Sequence, residues 1–275
     1  MRDRTEEKAT EASDPAIPLL RHWPDEKTAF APAELVEAVR RTRGMEQRAV
    51  PDVCVLDFDG DLTGKLVRRE QARKYQHWPC FHTRMWLWPA EDPLCGIVPR
   101  TIGGPYAVLV AEQMAVCGAD VVVGLASAGR IDRELPLPAV VVADEAIRDE
   151  GTSYHYLEPD QTVAGDPGLA DELESALAGL DLPVRRGMVW TTDAPYRETA
   201  PQVSLHADQG ALAVEMQAAS LFAFGQHRDF SAGLVAHVTN AVGQDAGDFE
   251  KGYPDTDIEI LRVIVHAASA AGSEA

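Results

Sequence analysis

The chain has 275 residues, 45% hydrophobic and 25% charged, enough for one large domain with a sizeable core. Acidic residues outnumber basic ones by 44 to 25, a formal charge of −19, which repels phosphodiester backbones and anionic headgroups and so excludes a general nucleic-acid or membrane-surface role. No apolar run reaches the roughly 18 residues of a spanning helix, and the start, MRDRTEEKATEASD, lacks a signal-peptide stretch. Four widely spaced cysteines (Cys54, Cys80, Cys95, Cys117) form no CxxC pair and read as reduced, mostly buried thiols of a cytoplasmic protein.

Residues 1–50 read as an extension carrying one surface helix, and residues 51–270 as the main domain. The first 28 residues are polar and broken by Pro15, Pro18 and Pro24, the composition of a loose tail. Leu35, Val36 and Val39 then form one stripe of a helix over 32–43, stopped by Gly44. Val53–Leu56 is a buried strand running into the acidic turn Asp57-Phe-Asp-Gly-Asp61. A second strand at 94–98 leads through the turn Thr101-Ile-Gly-Gly-Pro105 into a helix over 105–117, with Gly118 past its end. Val121–Leu125 is again a buried strand, ending in Ala126-Ser-Ala-Gly129. This βαβ order implies a parallel or mixed sheet. Further strands are expected at 138–143, 185–190 and 233–238, and helices at 167–179, 210–226 and 255–270. The fold class is α/β, in a single domain.

Taken singly, each candidate segment is a weak signal, and for Ser127–Gly129 a tight turn without a ligand is the equal alternative. Ser127-Ala-Gly129 places a hydroxyl and exposed amides where a parallel strand ends, the usual ligand crevice of such sheets. Glu215, between Val214 and Met216, stands at an expected strand-to-helix junction. A carboxylate there is costly unless hydrogen-bonded, so ligand hydroxyls suit it; a helix N-terminal glutamate facing the dipole is the alternative.

With Ile102-Gly-Gly-Pro105, Arg148 plus Gly151-Thr-Ser153, and Thr191-Thr-Asp193 plus Tyr196, these segments resemble the nucleoside phosphorylase superfamily in order and spacing, over residues 53–266. The resemblance implies a three-layer α/β/α fold around a mixed sheet and cleavage of an N-glycosidic bond, without cofactor or metal. It also implies a small nucleoside-like substrate, with or without phosphate, and a homo-oligomer, dimer or hexamer. Glu215 and Gln217 would hold the ribose, with Met216 packed under the ring. Ala128, Gly129, Thr192, Pro195, Val214 and Asn240 would surround the base, and Ser127 would face the anion or water.

Departures from the pattern decide the expected reaction. Phosphorylases carry an arginine where this chain has Leu62, and a second where it has Gly124. The nearby carboxylates would oppose a phosphate dianion. Hydrolysis is therefore expected over phosphorolysis, with Asp59 or Asp61 orienting and deprotonating the attacking water. The plainer alternative is that Asp57, Asp59 and Asp61 cap the following turn. Phosphorolysis would need arginines from other positions: Arg100, Arg130, or Arg84 from a neighbouring subunit. Asn240 replaces the aspartate that protonates a leaving purine, and Arg197-Glu-Thr-Ala-Pro201 lacks the residues that read uracil, so an unusual nucleoside is expected. A binding protein that keeps the pocket without catalysis is the third alternative. The stretch from His77 to Trp88, with His82, has no zinc spacing and reads as core or interface packing. His155 and His206 read as surface or satisfied histidines; the resemblance offers a contact of His22 to a sugar in a neighbouring chain only as a minor alternative.

Overall fold

Runs of valine and isoleucine that can be buried on both faces form the centre of the structure, a computed structural model that describes residues 17–21, 26–242 and 255–272. After helix α1 (Pro32–Arg43), strand β1 (Val53–Asp57) runs through the acidic turn into a short helix, α2 (Asp61–Arg68). Strands β2 (Arg73–Lys74), β3 (Trp86–Trp88) and β4 (Cys95–Pro99) form one edge, and helix α3 (Gly104–Val116) follows the glycine turn. Next come β5 (Val121–Arg130), β6 (Ala139–Asp149), β7 (Thr162–Ala164), helix α4 (Pro167–Leu177) and β8 (Val184–Thr192). The chain continues with α5 (Ala200–Asp208), β9 (Ala213–Glu215), α6 (Ala218–Arg228), β10 (Ser231–Ala241) and α7 (Thr256–Gly272).

These strands make one mixed sheet in the order β10-β6-β8-β9-β5-β1-β4-β3-β2, with β7 beside β6. Val55 and Val123 from one face of the strands pack with Leu66 of α2, Leu173 of α4 and Leu261 of α7. From the other face Leu56 and Val122 pack with Val108 of α3 and Phe222 of α6. The result is the expected α/β/α layering.

One closure goes beyond the expectation. β10 pairs with β5 as well as β6, so β10, β6, β8, β9 and β5 form a closed ring of strands. The long strands make this possible: β5 and β8 run several residues past the apolar runs of the sequence, through Ser127–Arg130 and Thr191–Thr192.

The expected helix over 210–226 is corrected. Val214 pairs with Gly129 of β5 and Glu215 with Thr191 of β8, so this stretch begins as strand β9 and turns helical only from Ala218. Pairing with strands on both sides outweighs the helical propensity of so short a segment. Helices α2 and α5 and strands β2, β3 and β7 are additions to the elements read from sequence.

Candidate active site

The ring of strands brings four segments to one end of the sheet. Along the β10–β5–β9 ladder Asn240 stands opposite Gly129, Val238 opposite Ala128, and Gly129 opposite Val214. A β-carbon on Gly129 would meet Val242 Cγ2 at 2.3 Å, so the close approach of these strands requires glycine there. Ala128, Gly129, Val214 and Asn240, together with Phe58, Asp59, Ser127, Pro195, Glu215, Met216, Gln217 and Glu198, line a cavity of about 340 Å³.

Glu215 is buried at the floor. Its Oε1 accepts from Thr191 Oγ1 at 2.6 Å, and its Oε2 accepts from the backbone N–H groups of Gln217 at 2.5 Å and Ala218 at 2.9 Å. It therefore caps the start of α6 and lines the cavity at once, so the plain and the functional readings of this residue describe one arrangement. Burial raises its carboxyl to about 7, against the pull of the three hydrogen bonds. Oε1 carries a single bond from the protein and has a lone pair for a ligand hydroxyl.

The acidic turn faces the cavity in a divided way. Asp57 is buried and held by three hydrogen bonds: its Oδ2 accepts from Thr63 N–H and Thr63 Oγ1, both at 2.7 Å, and its Oδ1 from Gly60 N–H at 3.1 Å. This is the capping role anticipated for the triplet, filled by Asp57. Asp59 instead reaches across to Ser127, whose hydroxyl donates to Asp59 Oδ2 at 2.6 Å. The two residues form part of the wall of the cavity and also of a second chamber of about 600 Å³ behind it, where Asp61, Lys65, Arg68, His237 and Asp257 lie. In that chamber Lys65 Nζ donates to Asp257 Oδ1 at 2.6 Å.

Among the described residues lining the smaller cavity there is no lysine, arginine or histidine, while Asp59, Glu198 and Glu215 contribute three carboxyl groups. The position of Gly124 is closed by Phe58: a β-carbon there would sit 2.6 Å from Phe58 Cζ. Leu62 is buried in the core on the α2 side.

A family model described as the phosphorylase superfamily matches residues 80–271, more than half of the chain. The chain belongs to the phosphorylase superfamily. A guanosine phosphorylase of Halorubrum lacusprofundi is 27% identical over 176 residues, covering 62% of this chain and 73% of that protein. A uridine phosphorylase of Treponema pallidum is 27% identical over 188 residues, covering 64% and 72%. The fold matches a solved Plasmodium knowlesi homologue of a P. falciparum protein titled PNP, with a TM-score of 0.68 at 13% identity, over 93% of this chain and 97% of that one. A uridine phosphorylase from Vibrio fischeri has a TM-score of 0.62 at 19% identity, over 83% and 91%. Glycosidic-bond cleavage is the reaction class of this superfamily.

Against this superfamily frame, the residues expected from sequence divide into two groups. Asp59, Ser127, Ala128, Gly129, Pro195, Val214, Glu215, Met216, Gln217 and Asn240 line one cavity. Asp61 lies in the adjoining chamber. Thr192 is buried outside the lining, where its Oγ1 accepts from Ala194 N–H at 3.2 Å and shapes the loop. Arg84 and Arg100 line a separate cleft with Gly60, His82 and Tyr106. Arg130 Nη1 donates to Leu135 O at 3.1 Å. Tyr196 is fully exposed. The loop of Arg148 is a structural brace: its guanidinium donates to Ser153 Oγ at 2.8 Å and to the carbonyls of Glu158 and Leu157. His206 stacks on Trp190 and bonds Gln209, and Trp78 and Trp88 are core residues. His22 lies outside the described residues.

Glu198 was not anticipated. It is half-buried in the lining, and desolvation pushes its carboxyl above the usual range. Its signal in the sequence was the lone acid of Arg197-Glu-Thr-Ala-Pro201, a stretch that invites comparison only for its missing uracil-reading residues.

Proposed function

We propose that the chain hydrolyses the N-glycosidic bond of a nucleoside. The observation that carries this reading is the pairing of Ser127 with Asp59 in a cavity whose described lining holds no cation. A phosphate dianion there would meet carboxylates without a compensating charge, whereas a water molecule is well served. It donates to Asp59 Oδ1 and is held in line by Ser127. Glu215 and Gln217 take the ribose hydroxyls with Met216 beneath the ring, and the sugar's developing positive charge is stabilised by the same carboxylates.

Ala128, Gly129, Pro195 and Val214 form the walls of the base subsite, with Asn240 and Glu198 at its polar edge. A carboxylate accepts and an amide both donates and accepts, so this edge suits a base presenting N–H groups beside a carbonyl, such as a 6-oxopurine. The guanosine phosphorylase among the relatives agrees with that preference.

Phosphorolysis is the second reading, favoured by the names of the relatives and by Lys65 and Arg68 in the adjoining chamber. A panel of purine and pyrimidine nucleosides, incubated with and without phosphate, separates the two. Free ribose independent of phosphate is expected; ribose 1-phosphate formed only with phosphate would replace the hydrolytic reading.

A homo-oligomer accompanies either reading. Helix α3 is apolar on nearly all sides, and within it Leu109 and Val116, seven residues apart, are exposed, with the exposed Phe30 lining one cleft with Leu109. Such a helix belongs in an interior, and a second copy of the chain provides one. Buried, unpaired thiols at Cys54, Cys80, Cys95 and Cys117 support a reducing, cytoplasmic compartment.

A further inference from the structure

The chamber behind Ser127 holds one histidine that neither the fold nor the ribose and base subsites use. His237 stands directly opposite Ser127 in the parallel β10–β5 ladder, so the two side chains leave the sheet on the same face, one strand spacing apart. Both line the chamber, together with Asp59. Its Nε2 is buried and has no hydrogen-bond partner among the described residues. An unpartnered imidazole nitrogen is costly in a structural role, and a histidine kept for packing would be expected to carry a bond such as the one His206 makes to Gln209.

The groups around His237 set its charge. Asp57 and Asp59 face it from the turn after β1, Asp61, Lys65 and Arg68 from α2, Asp257 from α7, and Thr239 from its own strand. Asp57 accepts three hydrogen bonds from the start of α2, and Asp257 is held by Lys65. Burial lowers the affinity of the ring for a proton, with Asp257 pulling partly the other way. The ring is therefore a neutral base at pH 7, able to accept a proton beside the point where the nucleophile enters.

We propose that His237 takes the proton from the attacking water, while Ser127 and Asp59 hold that water in line with the anomeric carbon. This rests on the hydrolytic reading given above. The water oxygen bonds the anomeric carbon as the C–N bond breaks. The electron pair leaves with the base, which takes up a proton from solvent, and the imidazolium returns its own proton to solvent through the chamber. Water and nucleoside thus give free sugar and neutral base, in balance.

The test uses the full chain with the nucleoside that the panel identifies. In His237→Gln, which keeps a polar group of similar bulk, kcat is expected to fall by about a hundredfold or more with KM within about twofold, the usual weight of a general base. The kcat–pH profile should lose its acid limb. Free imidazole should restore part of the rate of His237→Ala, because the chamber has room for it. Asp257→Asn should move the wild-type acid limb to lower pH. Nucleoside affinity by calorimetry confirms that the variants remain folded. A His237→Gln enzyme with near-normal kcat and an unchanged acid limb overturns the role of His237 alone. Absence of base release by the wild-type chain with every nucleoside overturns the functional reading, and the role of His237 with it.

Discussion

The ring of Phe58 lies so close over Gly124 that a β-carbon at Gly124 would sit 2.6 Å from Cζ and 2.8 Å from Cε2. The two residues explain each other: an aromatic ring fills the space that a long side chain from β5 would cross, and the strand supplies no side chain to compete. Together with Leu62 in the core, this pair removes the cations that the superfamily resemblance places on either side of the nucleophile.

Gly124→Ala is accordingly expected to destabilise the chain by about 1–3 kcal/mol through overpacking, read as a lowered Tm. Gly124→Arg should be worse. Combining either with Phe58→Ala should recover much of the loss, a coupling that a double-mutant cycle measures directly. Additive losses would show that the ring and the glycine are independent.

Asp59 and Asp61 belong to the same turn but to different surroundings, Asp59 bonded to Ser127 and Asp61 in the chamber behind. Asp59→Asn is expected to lower kcat by about a hundredfold, and Asp61→Asn by less than about tenfold, the first losing a group next to the nucleophile. Equal effects of the two would shift the working carboxylate to the chamber.

Glu215 supplies a pH dependence whose sign is fixed by its surroundings. Burial raises the carboxyl to about 7, so the folded chain holds a proton there that an unfolded chain releases near the ordinary 4.5. Stability contributed by this group is present below that ordinary value and is lost as pH rises towards 7. Ribose hydroxyls need the ionised form as acceptor, so KM for the nucleoside should rise as pH falls through about 7. Glu215→Gln should raise KM by about ten- to hundredfold and remove that dependence. A pH-independent KM in the wild-type enzyme would argue against ribose binding at this residue.

Leu109 is exposed on α3, two helical turns before the exposed Val116. Leu109→Glu should convert the oligomer to monomers in light scattering at micromolar concentration, since a buried unpaired charge at an interface is costly. An unchanged mass would leave that helix face without a second copy upon it.

The parts of the fold legible in the sequence were those with continuous apolar runs. β1, β4, the first half of β5 and helix α3 bury most of their side chains, and α4 and α7 bury one apolar face, and burial is what such patterns record. The ring of strands was hidden for the same reason. Its far halves, Ser127–Arg130, Glu145–Asp149 and Thr191–Thr192, carry small and polar residues because several of them surround the cavity, and they imitate loops. β9 is three residues long and gains its identity from partners distant in sequence, which no local pattern encodes. Helix α2 combines an acidic start with Gly64 and spans eight residues, too few for periodicity to stand out. In the site, Glu215, Ser127 and Asn240 were marked by motif, whereas Glu198 and His237 were not, because each gains meaning only from the wall it joins.

The closed circuit of β10, β6, β8, β9 and β5 has an evolutionary consequence. Its shape is maintained by amide-to-carbonyl bonds common to every amino acid, so, close contacts such as Gly129 apart, the cup tolerates exchange of the side chains hung inside it. Charges can be exchanged for rings, and acids for amides, without the vessel losing its form. A scaffold of that kind lets one lineage change its nucleophile or its preferred base by a few substitutions, leaving the architecture as the slowest-changing property of the molecule.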